Sequence, residues 1–153
     1  MSGRVTDGCD GERLSPSFYR SEFACKGDRC CGHSAPINQV LVDGLQALRD
    51  KLSCTRRCDT PIGIMSGFRC IIHDRDVAVT RGFPRDLLSN RHSQHCLGNA
   101  ADVVVEDVDV ELVLSVAETI AVFRDGGIGC YSGSRGKIVH LDVRTDGPAR
   151  WRE

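Results

Sequence analysis

Two histidines and one aspartate carry the most distinctive chemistry in this sequence. His95 and Asp102 lie in Ser93-Gln94-His95-Cys96-Leu97-Gly98-Asn99-Ala100-Ala101-Asp102, and His140 follows in Val139-His140-Leu141-Asp142-Val143-Arg144. Two imidazoles and a carboxylate form a three-ligand set, and a catalytic zinc takes three protein ligands while keeping a fourth position for water. The small residues between His95 and Asp102 let the backbone turn closely around an ion with both side chains convergent. Arg69, in Ser66-Gly67-Phe68-Arg69-Cys70, ends an apolar run. Its planar fork suits a carboxylate, whether that of a ligand or of a neighbouring Asp or Glu.

Cysteines are the second group with chemical potential. Nine in 153 residues is a high and odd count, and without a secretion signal reduced thiols or metal ligands are the first expectation. Cys25, Cys30, Cys31 and His33 offer donors for a structural zinc. Adjacent cysteines at 30 and 31 fit paired-ligand spacing poorly, so buried thiols or a disulfide are the competing reading. Cys54 and Cys58 sit in a basic stretch, open to a disulfide, a metal pair or no role. His33, His73 and His92 lack a carboxylate in register and read as structural.

These groups need a scaffold, and the apolar pattern supplies one. Ile37, Val40, Leu41, Leu45, Leu48 and Leu52 recur at helical steps, with Ser34 as cap and Pro36 in the first turn. Residues 61–65 read as a short strand and 71–79 as one or two helical turns. Residues 80–92 read as a loop that walls a cleft before His95. Ala100 to Val105 is a strand by its β-branched content. A helix over 109–124 follows, capped by Asp109 and ended by Gly126-Gly127. Residues 128–131 and 138–143 form a hairpin about a turn at 132–137. Alternation puts Ile138, His140 and Asp142 on the cleft face and Val139, Leu141 and Val143 on the core face. Residues 1–14 read as a mobile tail, leaving 15–153 as a single domain.

Composition excludes several classes. The net charge is −1 and aromatics make up 5%, so neither a basic nucleic-acid surface nor a base-stacking platform is expected. No run approaches the roughly 20 apolar residues of a membrane span. The N-terminus lacks the apolar core of a signal peptide, which predicts cytoplasmic synthesis.

The ordered motifs are similar to those of the zinc D-Ala-D-Ala carboxypeptidase family, which shares a fold group with lysostaphin-type peptidases and the hedgehog signalling domain. They are Ser21-Glu22-Phe23-x-Cys25, Ser66-Gly67-Phe68-Arg69-Cys70, Ser93-x-His95-x-x-Gly98-x-Ala100-Ala101-Asp102, Gly126-Gly127-Ile128-Gly129-x-Tyr131, and His140-x-Asp142-Val143-Arg144 before Ala149-Arg150-Trp151. The resemblance implies one zinc held by His95, Asp102 and His140. It places Arg69 at the substrate, polarising the scissile carbonyl or binding a carboxylate, with Ser93 lining the same site. Many relatives carry an acidic base three residues before the last histidine ligand, where this chain has Lys137. Asp142 is the nearest replacement, either as general base or as a carboxylate that orients His140, with Glu106 and Asp107 as weaker alternatives.

The expected fold is therefore α+β, a small and mainly antiparallel sheet with helices on one side and a zinc cleft on the other. The expected activity is zinc-dependent hydrolysis of peptide bonds in bacterial peptidoglycan stem peptides, by a D-Ala-D-Ala carboxypeptidase or an endolysin-type endopeptidase. The protein is expected to be a monomer acting at the cell wall after lysis or phage delivery. Two other readings compete. One is a non-catalytic zinc-binding module of the same fold, and the other is a cysteine peptidase using Cys96 or Cys70. His95 and Cys96, being consecutive, would point to opposite faces of an extended chain.

Overall fold

The computed structural model describes residues 12–27, 36–82 and 93–153. The first helix, α1, spans Gln39–Arg56 and begins later than the sequence suggested. Asn38 caps it through its side-chain oxygen, which accepts from the Val40 amide, so the Asx cap, not Ser34, sets the start. Leu41, Val42, Leu45, Leu48 and Leu52 are buried along one face, while Val40 is 45% exposed. After α1 come strand β1 (Gly63–Ser66) and helix α2 (Ile71–Thr80), which buries none of its side chains. Cys54 and Cys58 are exposed free thiols.

Strand β2 (Ala100–Val104) leads to α3 (Val110–Ala117), whose N-terminus Asp109 caps by accepting from the Glu111 amide. The single helix expected over 109–124 is in fact two. The Thr119 hydroxyl donates to the Val116 carbonyl and Ile120 is extended, which ends α3. Four residues of α4 (Ala121–Arg124) then bury Phe123. The expected hairpin is present as β3 (Gly127–Gly133) and β4 (Gly136–Asp142). The sequence reading missed a last strand, β5 (Ala149–Arg152), which pairs in parallel with β3.

The sheet order is β1-β2-β4-β3-β5, and every pairing except β3–β5 is antiparallel. One sheet face (Ala101, Val103, Val139, Leu141, Ile128, Cys130) joins the apolar faces of α1, α3 and α4 in a single core. Ahead of α1, Leu14 packs against that core, Arg13 bridges Tyr19, and Glu12 pairs with Arg20. This α+β arrangement, a mainly antiparallel sheet with α1, α3 and α4 on one face, is the architecture the sequence predicts, while α2 stands on the cleft side.

Candidate metal centre and cleft

The opposite sheet face carries the polar row. Register places Ser66 beside Asp102, Asp102 beside His140, His140 beside Gly129, and Gly129 beside Trp151, so one line of residues crosses all five strands. Three of the five residues, Ser66, Asp102 and His140, carry polar side chains although buried or half-buried, and Gly129 has no side chain. A Cβ at Gly129 would lie 2.2 Å from Trp151 Cε2. The bare glycine therefore lets the indole lean across β3 to sit 4.8 Å, centroid to centroid, from the His140 ring. The next row repeats the device, since a Cβ at Gly127 would lie 2.2 Å from Asp142 Oδ2.

His95 reaches the same face from the turn before β2. Gly98 holds that turn in the left-handed region at φ 73°, as the small-residue pattern predicted. The residue 67–69 segment clamps the histidine from below. His95 Nδ1 donates to the Gly67 carbonyl at 2.7 Å, and the Arg69 amide donates to the His95 carbonyl at 3.2 Å. Nε2 then faces Asp102 Oδ1 at 3.3 Å. His140 turns the other way: Nδ1 lies 2.9 Å from Asp102 Oδ1, and Nε2 lies 2.9 Å from Asp142 Oδ2.

The result is three donor atoms within 4.8 Å of one another on three buried residues. Each candidate ligand keeps one atom inward and has its other atom tied behind it, to Gly67, to Asp142 or, for Asp102 Oδ2, to Arg69 Nη2 at 2.7 Å. Such outer partners orient metal ligands and set their basicity. Two imidazoles and one carboxylate of this arrangement fit a zinc ion with open positions toward solvent. Burial alone would push the Asp102 carboxyl up. Hydrogen bonds from His140 and His95, with their charges, outweigh it and hold the group well below the usual range. Burial would likewise lower His140, but its hydrogen bonds to Asp102 and Asp142 raise it.

A cleft of ≈ 580 Å³ opens over the row, lined among others by Arg69, Asp74, Ser93, Tyr131, Arg144 and Trp151. Arg69 spends Nη2 on Asp102 and Nε on Ser66 Oγ at 3.0 Å, and its Nη1 stands 3.5 Å from Asp74 Oδ1. Ser93 Oγ donates to the same Asp74 oxygen at 2.7 Å. Asp74 is thus the hub joining both predicted substrate-side residues, and the sequence reading did not single it out. Tyr131 was missed too, though it alternates with Gly127 and Gly129 along the cleft face. Burial and the adjacent Asp102 charge push its phenol up, so it stays protonated.

Asp142 does not face the donor atoms. Its two oxygens accept from the Gly127 amide, from His140 Nε2 and from the amide, Nε and Nη2 of Arg144, and the residue is fully buried. Glu106 and Asp107 are away from the site, lining a separate groove where Glu106 pairs with Arg135. Lys137 lines that same groove and donates to Ser132 Oγ. Being an odd position on β4, it points to the face opposite His140, so a carboxylate there would not reach the cleft either. Neither Cys70 nor Cys96 lines the cleft, and burial pushes the Cys96 thiol up, the wrong direction for a nucleophile. Cys30, Cys31, His33, Ser34 and His92 lie outside the described residues, as do 1–11 of the predicted tail and 83–92 of the predicted loop. Among the described residues, no helix is long and apolar enough to cross a membrane.

A family model described as Peptidase M15 aligns with residues 16–142, which include His95, Asp102 and His140. No curated protein and no solved structure matches the chain.

Proposed function

Because the chain belongs to the peptidase M15 family, a family of zinc peptidases, we propose that it cleaves peptide bonds in bacterial peptidoglycan stem peptides, with His95, Asp102 and His140 as the zinc ligands. The observation that carries the reading is the buried His–Asp–His convergence at the floor of a solvent-open cleft. A bound zinc supplies Lewis acidity there, polarising a carbonyl and acidifying water.

The chain's own groups supply the rest. Arg69 anchors Asp102 from behind and lends its most weakly held arm, Nη1, to a substrate oxygen. Ser93, whose proton is committed to Asp74 and whose oxygen accepts from the Cys96 amide, has one lone pair left to accept a substrate N–H. The protonated Tyr131 phenol can donate to an oxyanion. Asp142 serves as a positioning residue, holding His140 with Nδ1 inward. The proton given up by the attacking water goes to Asp74, the cleft carboxylate braced between Arg69 and Ser93, and from there to the leaving amine as the C–N bond breaks. Trp151 and Arg144, whose guanidinium carbon lies 5.8 Å from the indole centroid, wall the end of the cleft beside His140.

The test is digestion of purified peptidoglycan by zinc-loaded protein, with mass spectrometry of the products. Free D-Ala marks a carboxypeptidase, and cut cross-links or stems mark an endopeptidase. A chelator should abolish release, zinc should restore it, and alkylation of thiols should leave it unchanged. No product from several wall chemistries at full zinc loading would refute the substrate assignment.

A further inference from the structure

We propose a second metal site, separate from the cleft, with Cys25 and His73 as ligands. The chain at residues 23–27 lies across the start of α2 and is held there at two points. The Phe68 amide donates to the Phe23 carbonyl at 2.9 Å, and Lys26 Nζ donates to the Ile64 carbonyl at 2.6 Å. Between these points Cys25 Sγ stands 3.4 Å from His73 Nδ1. In a tetrahedral zinc site with sulfur at about 2.3 Å and nitrogen at about 2.0 Å, two such ligand atoms lie roughly 3.5 Å apart. The pair already has the length of one coordination edge.

The Cys70 amide, at the N-cap of α2, donates to Cys25 Sγ at 3.4 Å, which holds the sulfur in place beside the imidazole. The imidazole has little freedom, since a Cβ on Gly27 would sit 2.6 Å from His73 Cγ. Thiolate and imidazole donors select zinc over the oxygen-seeking cations. Unlike the cleft group, this is a two-donor edge, since among the described residues the His95–Asp102–His140 set is the group whose three donors close within 4.8 Å.

A clip at this place has a structural purpose. Helix α2 buries no side chain, and Ile71 and Ile72 are 45% and 43% exposed, so apolar packing does not fix its first turn. That turn carries Asp74, which meets both Arg69 and Ser93 at the cleft. A metal joining Cys25 to His73 ties the 23–27 segment to α2 one residue away from that hub.

Metal analysis and cobalt substitution of the full chain decide the matter. The expected result is two metal ions per chain, with thiolate-to-cobalt charge-transfer absorption in the near ultraviolet. Cys25→Ser should lower the count to one and abolish that absorption, and His73→Gln should also lower the count to one. His140→Ala should also lose one ion yet keep the absorption, because the cleft set contains no sulfur. One ion per chain without charge transfer, or charge transfer that survives Cys25→Ser, overturns the site. If Cys25→Ser does not fold, alkylation mapping of the wild-type chain replaces it. Cys25 shielded by zinc and labelled after chelation supports the site, and equal labelling in both states overturns it.

Discussion

Asp142→Asn separates orientation from proton transfer. The carboxylate sits in full burial and accepts five hydrogen bonds, from Gly127, His140 and three donors of Arg144. Asparagine keeps the shape but has one acceptor oxygen to do what two did. If that oxygen stays with Arg144 and Gly127, the amide NH2 faces His140 Nε2, draws the ring proton to Nδ1 and blocks the inward nitrogen. If it turns to His140, the Arg144 fork faces an NH2 group. Either way the ligand histidine loses its charged partner, and such outer partners are worth about 10–100-fold in metal affinity, or roughly 1.4–2.8 kcal/mol. Zinc affinity, measured by competition with a chromophoric chelator, should fall by about that factor, while kcat at saturating zinc stays within about tenfold of wild type. Asp74→Asn should do the reverse, leaving zinc affinity intact and lowering kcat by about 10²–10⁴-fold, the range for a lost general base. Unchanged zinc affinity in Asp142→Asn with kcat collapsed by that range would make Asp142 the base and refute the reasoning.

Other consequences can be measured directly. Gly129→Ala puts a methyl where Trp151 lies, with 2.2 Å to the nearest indole atom, and should cost about 1–3 kcal/mol in chemical denaturation. The fluorescence of this single tryptophan should shift as the indole leaves His140. Leu45→Ala, in the fully buried stripe of α1, should cost roughly 2–5 kcal/mol by the same assay without altering zinc affinity in the folded protein. Saturating zinc should raise the melting temperature of wild type and not of an Asp102→Ala, His140→Ala double variant beyond any effect of thiol ligands.

What the sequence made legible was whatever obeys a period or a fixed spacing. The α1 stripe, the Asp109 cap, the glycine-bounded hairpin and the alternation of His140 with Val139 and Leu141 all follow from local rules, and each is found in the structure. The features that depend on distant partners were not legible. Strand β5 is four residues with two arginines, held outward by Glu118 and Glu111, and nothing in its pattern announces a strand. Asp74 sits in a helix without a buried face, so no apolar stripe gives its orientation; its role appears only when Arg69 and Ser93 converge on it. Asp142 could be placed on His140's face by counting, but which ring nitrogen it would meet required the fold. Lys137 looked like a missing acid because motif spacing ignores which side of a strand a residue occupies.

Strand β4 carries the cleft on its even positions and the core on its odd ones, and its pairing with β2 sets Asp102 beside His140. A slip of one residue between these strands would send His140 into the apolar layer and Leu141 into the cleft. An ion that needs both residues thus works as a register gauge for the centre of the sheet, since it binds one alignment and ignores its neighbours. Each tenfold of free metal above the dissociation constant adds about 1.4 kcal/mol to that alignment alone. Metal supply would then govern how reliably the two central strands find their partners as well as whether the cleft can work.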